Sequence, residues 1–280
     1  MRMMTYGSAP DFLAVVRPTL AEHEAEHHLV LGVAEALMSR PLPDGELFAA
    51  SIHDADGLVL AALMTGHHPL LVASDRESLS GAASLLWDTL DVSGKTPSHV
   101  IGAVGQIEAV IEAWSRRSGR TAHIAMRQRA YELTSVEPPP AVSGTFRVAT
   151  DGDLELVARW VDAFHNEALA GALAQPPRSV AERRVSAGDV YLWCDPEPRT
   201  MAGCARPTSR AIAVNGVYTP VEWRGRGYAT ACVAELSAHL LRRGFEFCVL
   251  YTDLSNPTSN AIYTRIGYRP VRDFLMYTLR

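Results

Sequence analysis

Hydrophobic positions in this chain fall into two kinds: runs with the period of a helix, and short, nearly continuous blocks that suit a strand. A helical pattern over about 19–38 is followed by two extended stretches, 47–52 and 58–64, separated by Asp54-Ala55-Asp56-Gly57. Those four residues are turn formers, so the pair reads as a hairpin. A strand over 99–104 leads through Gly105 into a helix whose Ile107, Val110, Ile111 and Trp114 share one face and which stops near Gly119. Blocks 124–126 and 129–133 are further strand candidates.

Pro138-Pro139-Pro140 then forbids helix, and Ser143-Gly144 adds a turn. The boundary falls there, giving one unit over 1–137, a linker over 138–144 and a second unit over 145–280. In the second unit 145–149 reads as a strand, and Asp151 opens a helix carrying Leu154, Val157, Val161 and Phe164 on one face. Three extended blocks follow, 189–194, 201–205 and 212–219. A helix over about 228–243 buries Cys232, Val233, Leu236 and Leu240 and ends at Gly244. The apolar block 247–251 suits a strand covered on both faces. A short helix over 258–265 is stopped by Gly267, and 274–279 closes the chain as a strand. Both halves share the order helices, hairpin, strand, helix, which hints at a duplication.

The chain has 280 residues, room for two domains, and its 48% apolar and 20% charged content is that of an ordinary globular protein. The longest clean apolar run, Leu58 to Met64, is far short of the ~20 residues of a membrane span. The first ten residues lack the apolar run of a secretory signal, so the cytoplasm is the expected location. Cys194, Cys204, Cys232 and Cys248 form no Cys-x-x-Cys pair and read as buried free thiols. Charge is uneven: residues 1–144 carry 10 basic and 17 acidic side chains (−7), whereas 145–280 carry 16 and 14 (+2). Neither half has the basic excess of a nucleic-acid binder, but the two could attract one another or a cationic ligand. Gly94-Lys95-Thr96 lacks the first glycine of a P-loop, because Thr89 stands there.

The most informative segment runs Val217-Tyr218-Thr219-Pro220-Val221-Glu222-Trp223-Arg224-Gly225-Arg226-Gly227-Tyr228-Ala229-Thr230. It sets a glycine-rich, basic loop between a strand and the first turn of a helix, where unpaired N–H groups and the positive end of the helix dipole converge. That arrangement suits a diphosphate, although an Arg-Gly turn capping a helix is also a common solvated feature. It does not fit Gly-x-Gly-x-x-Gly, so a dinucleotide site is disfavoured. In the second segment, Asp253 to Tyr268, positions 256, 260 and 263 fall in one sector of a helix, directing two amides and a phenol the same way. The plainer reading makes Asn256 an N-cap, Pro257 the first helical residue and Tyr263 a half-buried core residue.

Together the two segments resemble the GNAT superfamily of N-acetyltransferases. Arg224-Gly225-Arg226-Gly227-Tyr228-Ala229 is similar to its Arg/Gln-x-x-Gly-x-Gly/Ala pattern. Asn256 to Tyr268 is similar to its segment with an Asn, a Tyr seven residues on and a closing Gly-Phe/Tyr. The resemblance covers about 145–280 and implies an α/β fold of two tandem GNAT-like units, each a mixed, mostly antiparallel sheet flanked by helices. The first unit looks like a degenerate copy, since it has no second Arg-x-x-Gly-x-Ala.

For the site, the resemblance implies acetyl-CoA as co-substrate and no metal. Backbone amides from Arg224 to Thr230, including those of Gly225, Arg226, Gly227, Tyr228 and Ala229, would hold the pyrophosphate. Val217, Tyr218 and Thr219 would pair with the pantetheine arm, and Asn256 and Asn260 would line the cofactor. Tyr263 would protonate the departing thiolate. The expected acceptor is a small-molecule or peptide amine, with no nucleic acid or membrane as partner. Glu222, Asp253, His165 and Glu167 are all candidates for the general base. A non-catalytic acyl-CoA-binding sensor is the alternative reading. One competing motif, His23-Glu24-Ala25-Glu26-His27, satisfies His-Glu-x-x-His, but the metzincin positions for Gly and His hold Val30 and Val33. Six of the seven residues from Glu22 to His28 are acidic or His, which reads as a solvated helix face.

Overall fold

A computed structural model describes residues 1–66, 68–79, 81–168 and 175–280. The first half runs β1 (Arg2–Tyr6), α1 (Ala9–Leu20), α2 (Glu24–Ser39), β2 (Leu47–Asp54), β3 (Gly57–Thr65), β4 (Leu70–Ala73), α3 (Ala82–Val92), β5 (His99–Ala103), α4 (Ile107–Ser118) and β6 (His123–Leu133). The second repeats that order as β7 (Thr145–Val148), α5 (Leu154–Ala168), α6 (Pro177–Ser186), β8 (Val190–Cys194), β9 (Pro198–Ala205), β10 (Ala211–Tyr218), α7 (Tyr228–Arg242), β11 (Phe247–Asp253), α8 (Pro257–Arg265) and β12 (Arg269–Thr278). The predicted hairpin is β2–β3, turned at Gly57 with φ +112°. The two blocks after α4 are one strand, β6. The elements missed by periodicity are β1, α1, β4, α3 and α6.

The mixed, mostly antiparallel α/β architecture is as expected, but the two units share one sheet. Its twelve strands run β1-β2-β3-β4-β5-β12-β6-β11-β10-β9-β8-β7. Each half's last strand pairs with the other half's fifth: β12 lies antiparallel to β5, with Phe274 opposite Ala103, and β6 lies antiparallel to β11, with Leu250 opposite Tyr131. β6 and β12 pair with each other from Arg269 opposite Glu132 to Thr278 opposite His123.

The cores follow this exchange. Leu275, from the second half, is buried with Leu60, Leu86, Trp87 and Ile107 of the first. Tyr131 and Leu133, from the first half, are buried with Cys232, Leu236, Cys248 and Leu250 of the second. Helix α2 adds a seam on one face of the sheet. Its Ala25 packs on Ala211, Phe247 and Val249, its Glu26 is 2.8 Å from Arg272, and its Glu24 accepts from the Thr208 hydroxyl.

That seam overturns the reading of Glu22 to His28 as a solvated face. Glu24 is 4% exposed under Thr208 and His28 0% beside Arg206, both of the second half, whereas His27, 5% exposed, is held 2.7 Å from Asp75 of its own half. His23 ends a 3-10 turn before α2 begins, so it does not share a regular helix face with His27. Among the described residues no cluster of His, Cys, Asp and Glu could hold a metal ion. All four cysteines are free and buried, as expected.

Because each core is completed by a strand from the other half, the chain is expected to unfold in one cooperative transition. Leu133→Ala and Leu275→Ala should each cost about 2–5 kcal/mol, the usual range for emptying a buried leucine site. Denaturant melts followed by far-ultraviolet circular dichroism and tryptophan fluorescence test this; two resolved transitions would mean that the halves are stable independently.

Candidate functional site

The candidate site grows from a fork between two parallel strands. β10 and β11 pair only from Ala211–Phe247 to Ala213–Val249, and then part. A register shift in β10 between Asn215 and Tyr218 bends the strand at Gly216, where φ is +61°. Beyond the fork the β10 edge that faced β11 has no strand partner, so Val217, Tyr218 and Thr219 present backbone groups to a wedge-shaped opening. The same strand stays anchored on its other side: the Thr200 hydroxyl donates to the Tyr218 carbonyl at 2.7 Å.

The wedge leads to the glycine-rich loop. Trp223 N–H donates to the Pro220 carbonyl at 2.9 Å, closing a turn, and Gly225 and Gly227 adopt φ of +74° and +85°. Gly227 is the N-cap of α7 and no side chain caps that helix. The first-turn N–H groups of Tyr228, Ala229 and Thr230 are those an α-helix leaves without intrahelical partners. The Tyr228 and Thr230 side chains are buried, so only their backbone faces the loop. Arg224, Gly225 and Arg226 are exposed. Arg224 is committed to the turn, with Nε donating to the Thr219 carbonyl at 2.8 Å and Nη2 2.6 Å from Glu167. Arg226 and Arg199 lie over the Trp223 ring at 4.7 and 3.7 Å, placing two guanidiniums beside the loop.

Helix α8 supplies the other wall. Asn256 is its N-cap, accepting from the Ser259 N–H at 3.0 Å, and is exposed. Asn260 is engaged at both ends: its amide donates to the carbonyls of Asp253 at 2.9 Å and Asn256 at 2.7 Å, and its oxygen accepts from Tyr131 at 2.8 Å. Tyr263 is 8% exposed, packs edge-on against Tyr268 with ring centres 5.9 Å apart, and has its pKa pushed up to about 12 by burial. Its phenol therefore keeps its proton at neutral pH.

The candidate bases are spread out. Glu222 is exposed in a turn, and Glu167 is exposed and paired with Arg224. Asp253 accepts from the Ser255 N–H at 2.8 Å, and His165 has Nδ1 2.9 Å from the Val161 carbonyl.

Several contacts around the loop are invisible to spacing arguments because they come from far along the chain. Val142 of the linker would lie 2.9 Å from a Cβ on Gly227. Asp195 accepts from both Tyr228 at 2.7 Å and Ser143 at 2.6 Å, tying the linker to the start of α7. Arg184 of α6 passes over Gly203 and Gly216 to donate to Asn215 at 2.7 Å, under the bend in β10.

The corresponding place in the first half is bridged by a side chain. β4 and β5 also pair briefly, Leu70–Val100 and Leu71–Ile101, and Gly81 at φ +80° caps α3 as Gly227 caps α7. The residue at the start of α4, Gln106, is 4% exposed and donates to the carbonyls of Ser74 at 2.8 Å and Arg76 at 3.1 Å. Its amide bridges from α4 to the end of β4, with a small cavity lined by Leu71, Val72, Ala73, Ile101 and Ala103 left beside it.

A fork of parallel strands leading into a glycine-rich helix start can receive an extended ligand that ends in an anion. Residues 197–275 match the family described as FR47-like protein. No curated protein sequence matches the chain. Among solved structures, a Drosophila protein superposes with a TM-score of 0.70 at 13% identity, covering 99% of this chain and 98% of its own. A GCN5-related N-acetyltransferase from Sphaerobacter thermophilus superposes with a TM-score of 0.64 at 17% identity, over 98% of this chain and 94% of its own. A tandem GNAT protein from the clavulanic acid biosynthesis pathway matches with a TM-score of 0.54 at 13% identity, over 99% and 98%. The chain is a protein of the GNAT fold along its whole length, as the two motif segments led one to expect.

The loop geometry makes a specific demand on Gly227, which needs both a positive φ and open space toward Val142. Gly227→Ala should destabilise the chain by about 1 kcal/mol or more. Combining it with Val142→Ala should recover the steric part only. Chemical denaturation of the three variants is the check; a Gly227→Ala variant as stable as wild type would mean that the loop relaxes freely.

Proposed function

We propose that the second half is an acetyl-CoA-dependent N-acyltransferase acting on a small-molecule or peptide amine, and that the first half binds no cofactor. The observation that carries this reading is the unpaired β10 edge running into an uncapped helix start with two positive-φ glycines. An extended amide-bearing arm can add to Val217–Thr219 as a strand would, and a diphosphate can take the N–H groups from Arg224 to Thr230. Arg226 and Arg199 add positive charge, whereas Arg224 holds the turn. Asn256 lies at the wall of the wedge, and Asn260 acts as the brace that fixes α8 to β11 and β6.

Bound acetyl-CoA would supply the thioester. The neutral acceptor amine would attack its carbonyl carbon, the C–N bond forming and the C–S bond breaking, with the nitrogen shedding its extra proton to solvent. N–H groups of β10 at the bend are suited to receive the developing negative charge on oxygen. Tyr263, with its phenol protonated, gives its proton to the departing sulfur. A pKa of about 12 means this acid remains loaded throughout the neutral and mildly alkaline range, so loss of its proton should not limit activity below about pH 10.

Calorimetry on the full chain should give one acetyl-CoA per chain, and Gly227→Asp should weaken it by placing bulk and like charge at the diphosphate. Undiminished affinity in that variant would remove the loop from the site. Tyr263→Phe should lower kcat by roughly 10²-fold or more with little change in cofactor affinity. Unchanged turnover would leave the phenol as packing. Tight acetyl-CoA binding without CoA release on any member of an amine panel would instead favour a sensor.

A further inference from the structure

On the face of the sheet opposite α7 and α8, the fork is covered by parts of both halves. Phe247, Val249 and Tyr251 alternate onto that face of β11, against α2. Tyr251 lies two residues beyond Val249, the last residue of β11 paired with β10, and so stands at the mouth of the wedge. Packed between α2 and this face is Arg206, from the turn joining β9 to β10. Its Nε is buried without a hydrogen-bond partner, and no carboxylate among the described residues pairs with it. Tyr251 is close enough to feel its charge, yet the Tyr251 hydroxyl is buried and unpartnered too. The third is His28 of α2, fully buried, with no hydrogen bond of normal geometry at either ring nitrogen although the Arg206 carbonyl lies beside it; desolvation and the Arg206 charge hold it neutral.

This cluster is held in place at a cost. Arg206 is the one non-glycine residue among those described with positive φ, at +53°. Gly32 of α2 sits directly over it, where a Cβ would come within 2.9 Å of the Arg206 Cβ. Nearby Arg184 carries a second positive charge to Asn215 under the bend. A half-buried guanidinium whose Nε is sealed off without an acid, beside a buried phenol and imidazole, is unfavourable unless an anion completes it. Glu24 and Glu26 do not complete it: they are bonded to Thr208 and Arg272.

We propose that Arg206, with Tyr251 and His28, binds a carboxylate, and that this carboxylate belongs to the amine acceptor. The acceptor is thus an amino acid or a similar amine that also bears an acid. The inference rests on the acetyltransferase reading of the same fork. A guanidinium accepts a carboxylate through two parallel N–H···O bonds, and the Tyr251 hydroxyl and a neutral imidazole N–H can add further donors. With the acid anchored on this face, the amine of the same molecule can turn toward the wedge.

Two measurements separate this proposal from the reading it rests on. Thermal melts of the full chain in sodium acetate against sodium chloride at equal ionic strength probe the anion site without acetyl-CoA. Wild type should rise saturably by about 2–4 °C with acetate, the size expected for roughly tenfold saturation of one weak site. Arg206→Met should not respond, and Arg206→Lys, which keeps the charge but not the fork, should respond weakly. CoA release is then followed with the L-amino acids and their amides; an accepted amino acid should outrun its amide by 10²-fold or more in kcat/KM. Acetate acting no more strongly than chloride, or an Arg206→Met variant that responds like wild type, overturns the site. An amide turned over as well as its acid overturns the acceptor class. If no amino acid is turned over, the acetate melts decide alone, while failure of acetyl-CoA to bind counts against the acetyltransferase reading only.

Discussion

Everything else in this molecule depends on the antiparallel pairing of β6 with β12. Each strand ends its own half and fills the slot beside the other half's fifth strand, so neither half can close its sheet or its core alone. Backbone hydrogen bonds along a strand are lost together if the partner leaves, and an unpaired central edge is a severe liability. The exchange therefore converts two repeats into one cooperative body. It also carries side chains across: Tyr131 of the first half reaches Asn260 in the wall of the second half's fork.

A shared sheet lets the two copies specialise. In the first half Gln106 spans the opening with two hydrogen bonds to backbone carbonyls, which satisfies groups that would otherwise face an empty slot. In the second half the equivalent helix start holds Asn256, whose side chain turns back to cap its own helix and leaves the slot open. The first half then contributes by covering rather than by opening. Its α2 lies over β10 and β11, and its acidic Glu24 and Glu26 find Thr208, Arg210 and Arg272. The −7 and +2 imbalance of the halves is partly resolved at that seam.

The chemistry of the fork is set by burial as much as by residue type. Tyr263 is an ordinary phenol whose buried surroundings hold its proton. The glycine-rich loop concentrates N–H groups at a helix start, while the opposite face holds one guanidinium, that of Arg206, with no acid paired to it among the described residues. Helix-start N–H groups on one side and the Arg206 guanidinium on the other thus flank the point where β10 and β11 separate.

The sequence by itself determined the parts whose signal is local. Gly225 and Gly227 before a helical pattern, Asn256 with Pro257 at a helix start, Gly57 in a hairpin and the apolar block of β11 each declare their conformation through nearest neighbours. Those parts include the loop and the α8 wall, which is why the fold class and the candidate residues were legible. Tertiary structure alone decided which strand lies beside which, since β6 and β12 would suit their own halves equally well by pattern. It also decided the fate of Glu24, His27 and His28, polar residues that read as solvated until distant parts of the chain cover them. Arg206 carries no motif at all; its isolation from every carboxylate is a property of three-dimensional neighbours, and spacing along a chain cannot encode it.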